Sequence, residues 1–548
     1  MERVQPEALL AALERHWDSR EFRPLQREII EAVLEGRDAA VIMPTGGGKS
    51  LCYQMPVLFL PGTAVVVSPL IALMKDQVER LNARGIRAAA LNSATPYAEQ
   101  LHIQQDTRAG EVRLLYIAPE RLLREDTIEL IRQTTVCYYA IDEAHCISEW
   151  GHEFRPDYRR LAELRQLHPQ APILALTASA TRRVRHDILA QLAMRDPAKF
   201  IRSFDRKNLR YVAQKTDATG QWRLLEAALD AHAGRSVIVY ASTIAMVEDT
   251  VARLNRHGLR AVAYHAQMPP DARRSAQERW MAGSPPVLVG TIAFGMGIDK
   301  PDVRAVIHLS LPKSLEQYYQ EAGRAGRDGQ PSDCVLLWQP RDIGVIVYFL
   351  KQMSDAAERR RAWARYEEIR GYAESALCRH VAICRHFGES AASRLCGMCD
   401  VCGPLPEWYE QAQAEPGPRT RPRRARAAGR IPERVTGGVV SASPARTAQA
   451  GGLLAPAAPG PTAPVASGLQ AAAARGSTAV FDKLRAWRLA IARRDQLPPY
   501  VIFHDSVLRS IAAARPADLD ELSGISGIGP AKLEKYGEEV LRLLKAEP

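Results

Sequence analysis

A chain of 548 residues with 46% hydrophobic and 25% charged side chains reads as a globular protein of several domains, since ~100–200 residues make one domain. Lys and Arg outnumber Asp and Glu by 73 to 62, and the resulting charge of +11 suits a polyanionic partner, nucleic acid first, or else a basic solvated surface. The start, MERVQPEALL, lacks the segments of a secretory leader, and the two uncharged stretches, 50–74 and 447–474, are broken by Pro or too weakly apolar to insert; a membrane protein is excluded and a soluble, cytoplasmic one expected.

In chain order, residues 39–43 (AAVIM), 64–68 (AVVVS), 113–118 (RLLYIA), 136–142 (VCYYAID) and 173–178 (ILALTA) predict strands. Their near-continuous apolar character fits a parallel sheet covered on both faces. Segments such as LIALMKDQVERLNARG between them carry apolar residues at helical spacing. A second series follows at 236–242, 260–265, 286–291 and 304–310. Two tandem α/β lobes are therefore expected, 1–208 and 209–340. Residues 341–403 read as helical and end in a Cys group. Residues 404–476 hold 11 Pro and 9 Gly with no Asp or Lys, cannot bury a core, and are expected to form a disordered linker. Helical periodicity returns in 477–548 around Trp487, Leu489, Tyr500 and Ile502 and predicts a small all-α domain.

Three motifs point to phosphate chemistry. MPTGGGKS (43–50) follows a strand and precedes a helix, so Thr45, Gly46, Gly47 and Gly48 can curl backbone N–H groups around phosphate oxygens. Lys49 then reaches the outer phosphates of a nucleotide and Ser50 a Mg²⁺ ion, although Met43 stands where the strict pattern has Gly. IDEAH (141–145) ends another strand; Asp142 suits Mg²⁺ and Glu143 suits polarising a water. QEAGRAGRDG (320–329) sets Arg324 and Arg327 among glycines, where a guanidinium can meet charge developing on a transferring phosphoryl group.

Four of nine cysteines, Cys378, Cys396, Cys399 and Cys402, group as two C-x-x-C steps with one upstream thiol, the spacing of a tetrahedral thiolate Zn²⁺ site. His380 and Cys384, about one helical turn from Cys378, compete for the same ion.

Together with FRPLQ (22–26), VVVSPLIALMKDQV (65–78), YIAPERL (116–122), DEAHCISEWGHEFRPDY (142–158), LTASAT (176–181) and GTIAFGMGIDKPDVRAVIH (290–308), these residues resemble the RecQ family of superfamily-two helicases over about 17–403. The resemblance implies two RecA-like lobes with parallel sheets and a helical zinc-binding module that uses the four Cys. It implies an adenine-reading element with Phe22, Arg23 and Gln26, where Ser19 replaces the family's usual Tyr and Trp17 is a candidate substitute. Gln320 joins the arginines as a catalytic residue and Asp299 the nucleotide site. SEWGHEFRP resembles a loop that couples DNA binding to hydrolysis through His145, Trp150, His152, Phe154 and Arg155; Trp150 and Phe154 are read as stacking on bases or as packing in the core. The last domain resembles an HRDC module, with LSGISGIGPAKLEKYG (522–537) presenting N–H groups to DNA phosphate or a surface to another protein.

The family commonly has a winged-helix domain where this chain has the Pro/Gly/Ala/Arg stretch. The arginine cluster from Arg419 to Arg434 is read there as a loose DNA tether or a solvated spacer. The implied function is an ATP-dependent 3′-to-5′ DNA helicase using Mg²⁺ and Zn²⁺ in repair and recombination. Its implied partners are single-stranded, forked or junction DNA and single-stranded DNA-binding protein. An RNA helicase and a nucleotide-switched annealing protein are the alternatives.

Overall fold

The computed structural model describes residues 4–44, 46–295, 300–390, 395–414, 467–494, 502–503, 505–525, 528 and 530–545. The chain separates into two compact units, residues 1–415 and 416–548.

The first unit contains two parallel sheets. Seven strands build the first: β1 (Ala39–Ile42), β2 (Thr63–Val67), β3 (Ala88–Leu91), β4 (Leu114–Ile117), β5 (Val136–Ile141), β6 (Ile173–Thr177) and β7 (Ala198–Ile201), in the order β3-β4-β2-β5-β6-β1-β7. Six build the second: β8 (Leu209–Lys215), β9 (Ser236–Tyr240), β10 (Ala261–Tyr264), β11 (Val287–Gly290), β12 (Val303–His308) and β13 (Ser332–Trp338), in the order β10-β11-β9-β12-β13-β8. All nine strands expected from the sequence are present, and β3, β7, β8 and β13 are additional.

Alternation explains why the strands are apolar throughout. Val65, Val67, Leu115, Ile117, Tyr139 and Ile141 enter one core of the first lobe, while Ala64, Val66, Leu114, Tyr116, Tyr138 and Ala140 enter the other. Both faces are covered by helices, as a parallel sheet requires. The first of these cores continues through Ile238 and Leu288 of the second lobe to Tyr366, Val381 and Phe387 of the helical module behind it. That module is built from helices Pro340–Gln352, Ala356–Glu374 and Arg379–His386.

The expected linker is corrected at both ends. Residues Glu407–Ala414 form a helix that buries Trp408 and Tyr409 against the second lobe. Trp408 Nε1 donates to Asp333 Oδ2 at 3.1 Å, so this segment has a core partner that its own Pro-rich composition does not reveal. At the other end, helix Ser467–Arg494 starts before residue 477. Residues 415–466, including Arg419 to Arg434, lie outside the described residues.

In the second unit, helices Ser467–Arg494, Asp505–Ala514, Leu519–Ser523 and Pro530–Lys545 surround a core of Leu484, Phe503, Leu508, Ile511, Leu522 and Val540. No helix among the described residues is long and apolar enough to cross a membrane.

Candidate active site

At the carboxyl end of β1 the chain turns through the glycines into helix Lys49–Gln54. Gly46 and Gly48 take φ of +80° and +81°, a region that side chains avoid. A Cβ on Gly48 would lie 2.3 Å from Gln26 Nε2. Lys49 Nζ donates to the carbonyl of Met43 at 3.1 Å, and burial lowers its ammonium pKa. At the end of β5, Asp142 is held by Ser68 Oγ at 3.4 Å and its carbonyl by Tyr158 OH at 3.0 Å. Burial raises the Asp142 carboxyl and the neighbouring Glu143 adds to the rise. Glu143 moves the other way: burial opposes its charge, but the hydrogen bond and charge of His145 outweigh it. Glu143 itself has φ of +46°, a conformation rare outside Gly, at the residue that would act on water.

The second lobe brings its arginine turn to the same place. Lys49, Ser50, Asp142 and Glu143 of the first lobe and Gln320, Arg324 and Arg327 of the second line one cleft of about 320 Å³. The turn is clamped from behind by the segment joining the lobes. Arg206 donates to the carbonyls of Gly323, Ala325 and Gly326 at 3.0–3.4 Å, and Asn208 Nδ2 to Gly326 at 2.8 Å. Gln320 Nε2 crosses to Ser179 Oγ at 2.9 Å. Lys49 beside two carboxylates, with two arginines facing them across a partly buried cleft, suits a polyphosphate and a divalent cation.

From Glu143 the first lobe continues into the loop 145–155. His145 is buried, with Nδ1 2.9 Å from Thr177 Oγ1 and 3.3 Å from Glu143 Oε2. His152 stacks on it at 4.6 Å, and burial together with the charge of His145 pushes the His152 imidazole down to about 4. Trp150 is 40% exposed, with the Arg183 guanidinium carbon 3.0 Å above its ring. Phe154 is half-buried beneath Arg159, and Arg155 Nη2 pairs with Glu153 at 3.3 Å. Trp150 is thus not a core residue. Glu149, next to it, pairs with Arg159 at 3.0 Å and with Arg361 of the helical module at 3.4 Å.

In that module the Sγ atoms of Cys378, Cys396, Cys399 and Cys402 all lie within 4.8 Å of one another. Adjacent pairs stand at 3.4, 3.5 and 3.9 Å, close to the ~3.8 Å between sulfurs that Zn–S bonds of ~2.3 Å give in a tetrahedron. Backbone N–H groups of Arg379, Gly397 and Met398 point at three of the sulfurs and favour thiolates. The residues therefore fit Zn²⁺. His380 is eliminated as a ligand because Asp205 and the Leu209 carbonyl occupy both its ring nitrogens, at 2.7 and 3.0 Å. Cys384 is outside the cluster, its thiol pushed up to about 12 by burial.

Family models match along the chain: DEAD/DEAH box helicase over 23–188, helicase conserved C-terminal domain over 220–329, RecQ zinc-binding over 340–403 and HRDC domain over 477–544. The ATP-dependent DNA helicase RecQ of Haemophilus influenzae is 35% identical, with 99% of this chain and 96% of that protein covered. That of Bacillus subtilis is 34% identical, with 96% of each covered. The chain belongs to the RecQ family of ATP-dependent DNA helicases. A solved structure of Mss116p bound to ssRNA and AMP-PNP, at 18% identity, shares the two-lobe fold with a TM-score of 0.53 over 64% of this chain and 78% of that one.

Within this RecQ chain, the FRPLQ segment (22–26) has a structural task of its own. Gln26 Oε1 accepts from the Arg23 N–H at 2.8 Å while Nε2 donates to the Gly48 carbonyl at 2.9 Å, and Arg23 Nη1 donates to the Gly46 carbonyl at 2.7 Å. Both ends of the Gln26 amide are engaged with backbone, and the pair braces the glycine turn. Phe22 and Trp17 are half-buried against the first lobe's core, and Arg84 lies 5.9 Å from the Trp17 ring. Thr45 and Asp299 fall outside the described residues. Sequence reasoning missed Ser179, Arg183, Arg206 and Arg361. Ser179 sits in the quoted LTASAT segment, which signalled a motif but no partner; nothing in the sequence ties Arg361 to Glu149.

Proposed function

We propose that this chain moves 3′-to-5′ along single-stranded DNA and unwinds duplexes ahead of it, drawing on ATP hydrolysis. The observation that carries this reading is the single cleft lined by the glycine turn and acidic pair of one lobe and by Gln320, Arg324 and Arg327 of the other. A nucleotide in a shared cleft makes lobe closure depend on its γ-phosphate, and hydrolysis releases the closure.

In this reading Lys49 holds the outer phosphates, with the N–H groups of Gly46, Gly47 and Gly48 around them. Glu143 orients and polarises the attacking water, and its carboxyl, kept ionised by His145, is a hydrogen-bond acceptor for it. Arg324 and Arg327 stabilise charge on the transferring phosphoryl group. Ser50 and Asp142 are the residues that would hold Mg²⁺, which supplies charge neutralisation at the phosphates. The aromatic-rich loop with Trp150, His152, Phe154 and Arg155 meets the strand and reports it to Glu143 through His145. Forked and junction DNA are the proposed substrates, single-stranded DNA-binding protein a proposed partner, the cytoplasm the proposed compartment, and repair and recombination the proposed setting.

The test is a fluorescent duplex carrying a 3′ or a 5′ single-stranded tail, with ATP or a non-hydrolysable analogue. Separation of the 3′-tailed duplex with ATP alone is expected. Equal separation of both, or separation with the analogue, overturns the reading.

A further inference from the structure

Both aromatic side chains of the loop 145–155 carry arginines, and one carboxylate ties two of these arginines together. Over Trp150 the Arg183 guanidinium carbon lies 3.0 Å from the ring centroid, and that of Arg361, from the helical module, lies at 5.8 Å. Over Phe154 the Arg159 carbon lies at 5.5 Å. Glu149 turns Oε1 to Arg159 at 3.0 Å and Oε2 to Arg361 at 3.4 Å. The other Arg361 nitrogen pairs with Glu358 at 3.0 Å, and Glu358 also takes Arg365 at 2.7 Å. Arg183 is exposed and meets the Trp150 ring rather than a carboxylate.

This is a set of phosphate ligands with stand-ins in place. The Trp150 face on which a base would stack is taken by a guanidinium, a weaker partner at an exposed site than a stacked base. The two oxygens of Glu149 occupy two arginines as two oxygens of a phosphodiester would. Partly exposed carboxylate pairs of this kind contribute little and are screened by salt, so a phosphate can take their place. A nucleotide carries a stacking face and a phosphate together and can replace both stand-ins at once.

We propose that Arg183 of the first lobe and Arg361 of the helical module are phosphate ligands for the single strand that reaches Trp150, and that Glu149 masks Arg361 until the strand arrives. The site spans the seam between the first lobe and the module. This rests on the reading of the aromatic-rich loop as the place where the strand is met.

The experiment measures binding of fluorescein-labelled oligothymidine to the full chain by anisotropy, without nucleotide, from about 50 to 200 mM salt. Arg183→Gln is expected to weaken binding about fivefold at the low-salt end. It should also reduce the slope of log affinity against log salt by about 0.7, the share of one phosphate contact on a single strand. Arg183→Lys keeps the charge and should restore the slope. Glu149→Gln should tighten binding about threefold, because no carboxylate then competes for Arg361. Arg361→Gln, made on the Glu149→Gln background so that Glu149 is not left without its partner, should remove that gain and about 0.7 of slope. Melting temperatures should stay within about 3 °C of the parent, since these pairs are partly exposed. A packing role would instead lower the melting temperature and leave the slope alone, and that result overturns the inference. So does a parental slope in Arg183→Gln, or parental affinity in Glu149→Gln. A parent chain that does not bind oligothymidine overturns the reading of the chain as a motor on single-stranded DNA, and a parent that binds while the variants match it overturns this assignment alone.

Discussion

Arg327 of the second lobe runs alongside Gly46 of the first: a Cβ placed on Gly46 would meet Arg327 Cγ at 3.2 Å. The contact is made at the glycine turn itself, and Gly46 also has φ of +80°. Two demands, backbone and space, thus fall on one glycine. Gly46→Ala is expected to cost about 1 kcal/mol of stability from the backbone alone. It should also lower DNA-stimulated hydrolysis at least about tenfold by displacing the arginine. Steady-state hydrolysis with a denaturant melt separates the two effects; an alanine variant with parental turnover would show that the arginine does not need this approach.

Arg327→Ala should leave ATP binding in place and reduce turnover by about 10³-fold, as expected for a guanidinium that meets transition-state charge. Lys49→Ala is expected to abolish DNA-stimulated hydrolysis while DNA binding persists. Fluorescent nucleotide titration and phosphate release give the two readouts for each variant. Loss of nucleotide binding in Arg327→Ala would make it a ground-state ligand instead.

Trp150→Ala is expected to keep DNA affinity within about threefold and weaken DNA stimulation about tenfold. The ring is exposed on one side and covered by Arg183 on the other, so its loss should leave the core intact. An unchanged stimulation ratio, or a large drop in melting temperature, would return Trp150 to packing.

Asp333 predicts an acid-dependent stability term. Arg210, His232 and Trp408 all converge on its buried carboxylate, and although burial opposes its charge, His232 and Arg210 hold its pKa below the ordinary value. A depressed carboxyl stabilises the fold above its unfolded pKa of about 3.9, and that contribution is lost as pH falls through the folded pKa. Asp333→Asn should therefore cost about 3 kcal/mol at pH 7. The difference from the parent should shrink as acid protonates the parent's carboxyl. Denaturant midpoints across that range check it, and a pH-independent difference would refute the assignment.

Much of this was legible in the sequence for a physical reason: buried parallel strands must be apolar on both faces, and β1, β2, β4, β5, β6, β9, β11 and β12 are. Of the four unread strands, β3, β7 and β8 are sheet edges, covered on fewer sides. Edge strands tolerate the alanines of β3 and the Arg210 and Gln214 of β8. The fourth, β13, carries Asp333 within its apolar run. The phosphate turns and thiolates were legible because their chemistry is local. Gln26 was only half legible: its place was marked, but its bonds to Arg23 and Gly48 depend on how the chain returns on itself. Helix Glu407–Ala414 was hidden because its partner Asp333 lies 75 residues earlier.

The zinc-binding module is fastened to both lobes. Arg182 and Arg185 of the first lobe donate to the carbonyls of Gly388 and Phe387, while the Asp400 N–H donates to Tyr211 of β8 and its carboxylate accepts from Ala213. A motor that works by opening and shutting a jaw needs a fulcrum, and a bracket bolted to both halves is where one would be mounted. A Zn²⁺ ion held by the four thiolates would then govern the stroke from far outside the nucleotide cleft, and its removal is expected to loosen the angle between the lobes before it unfolds either sheet.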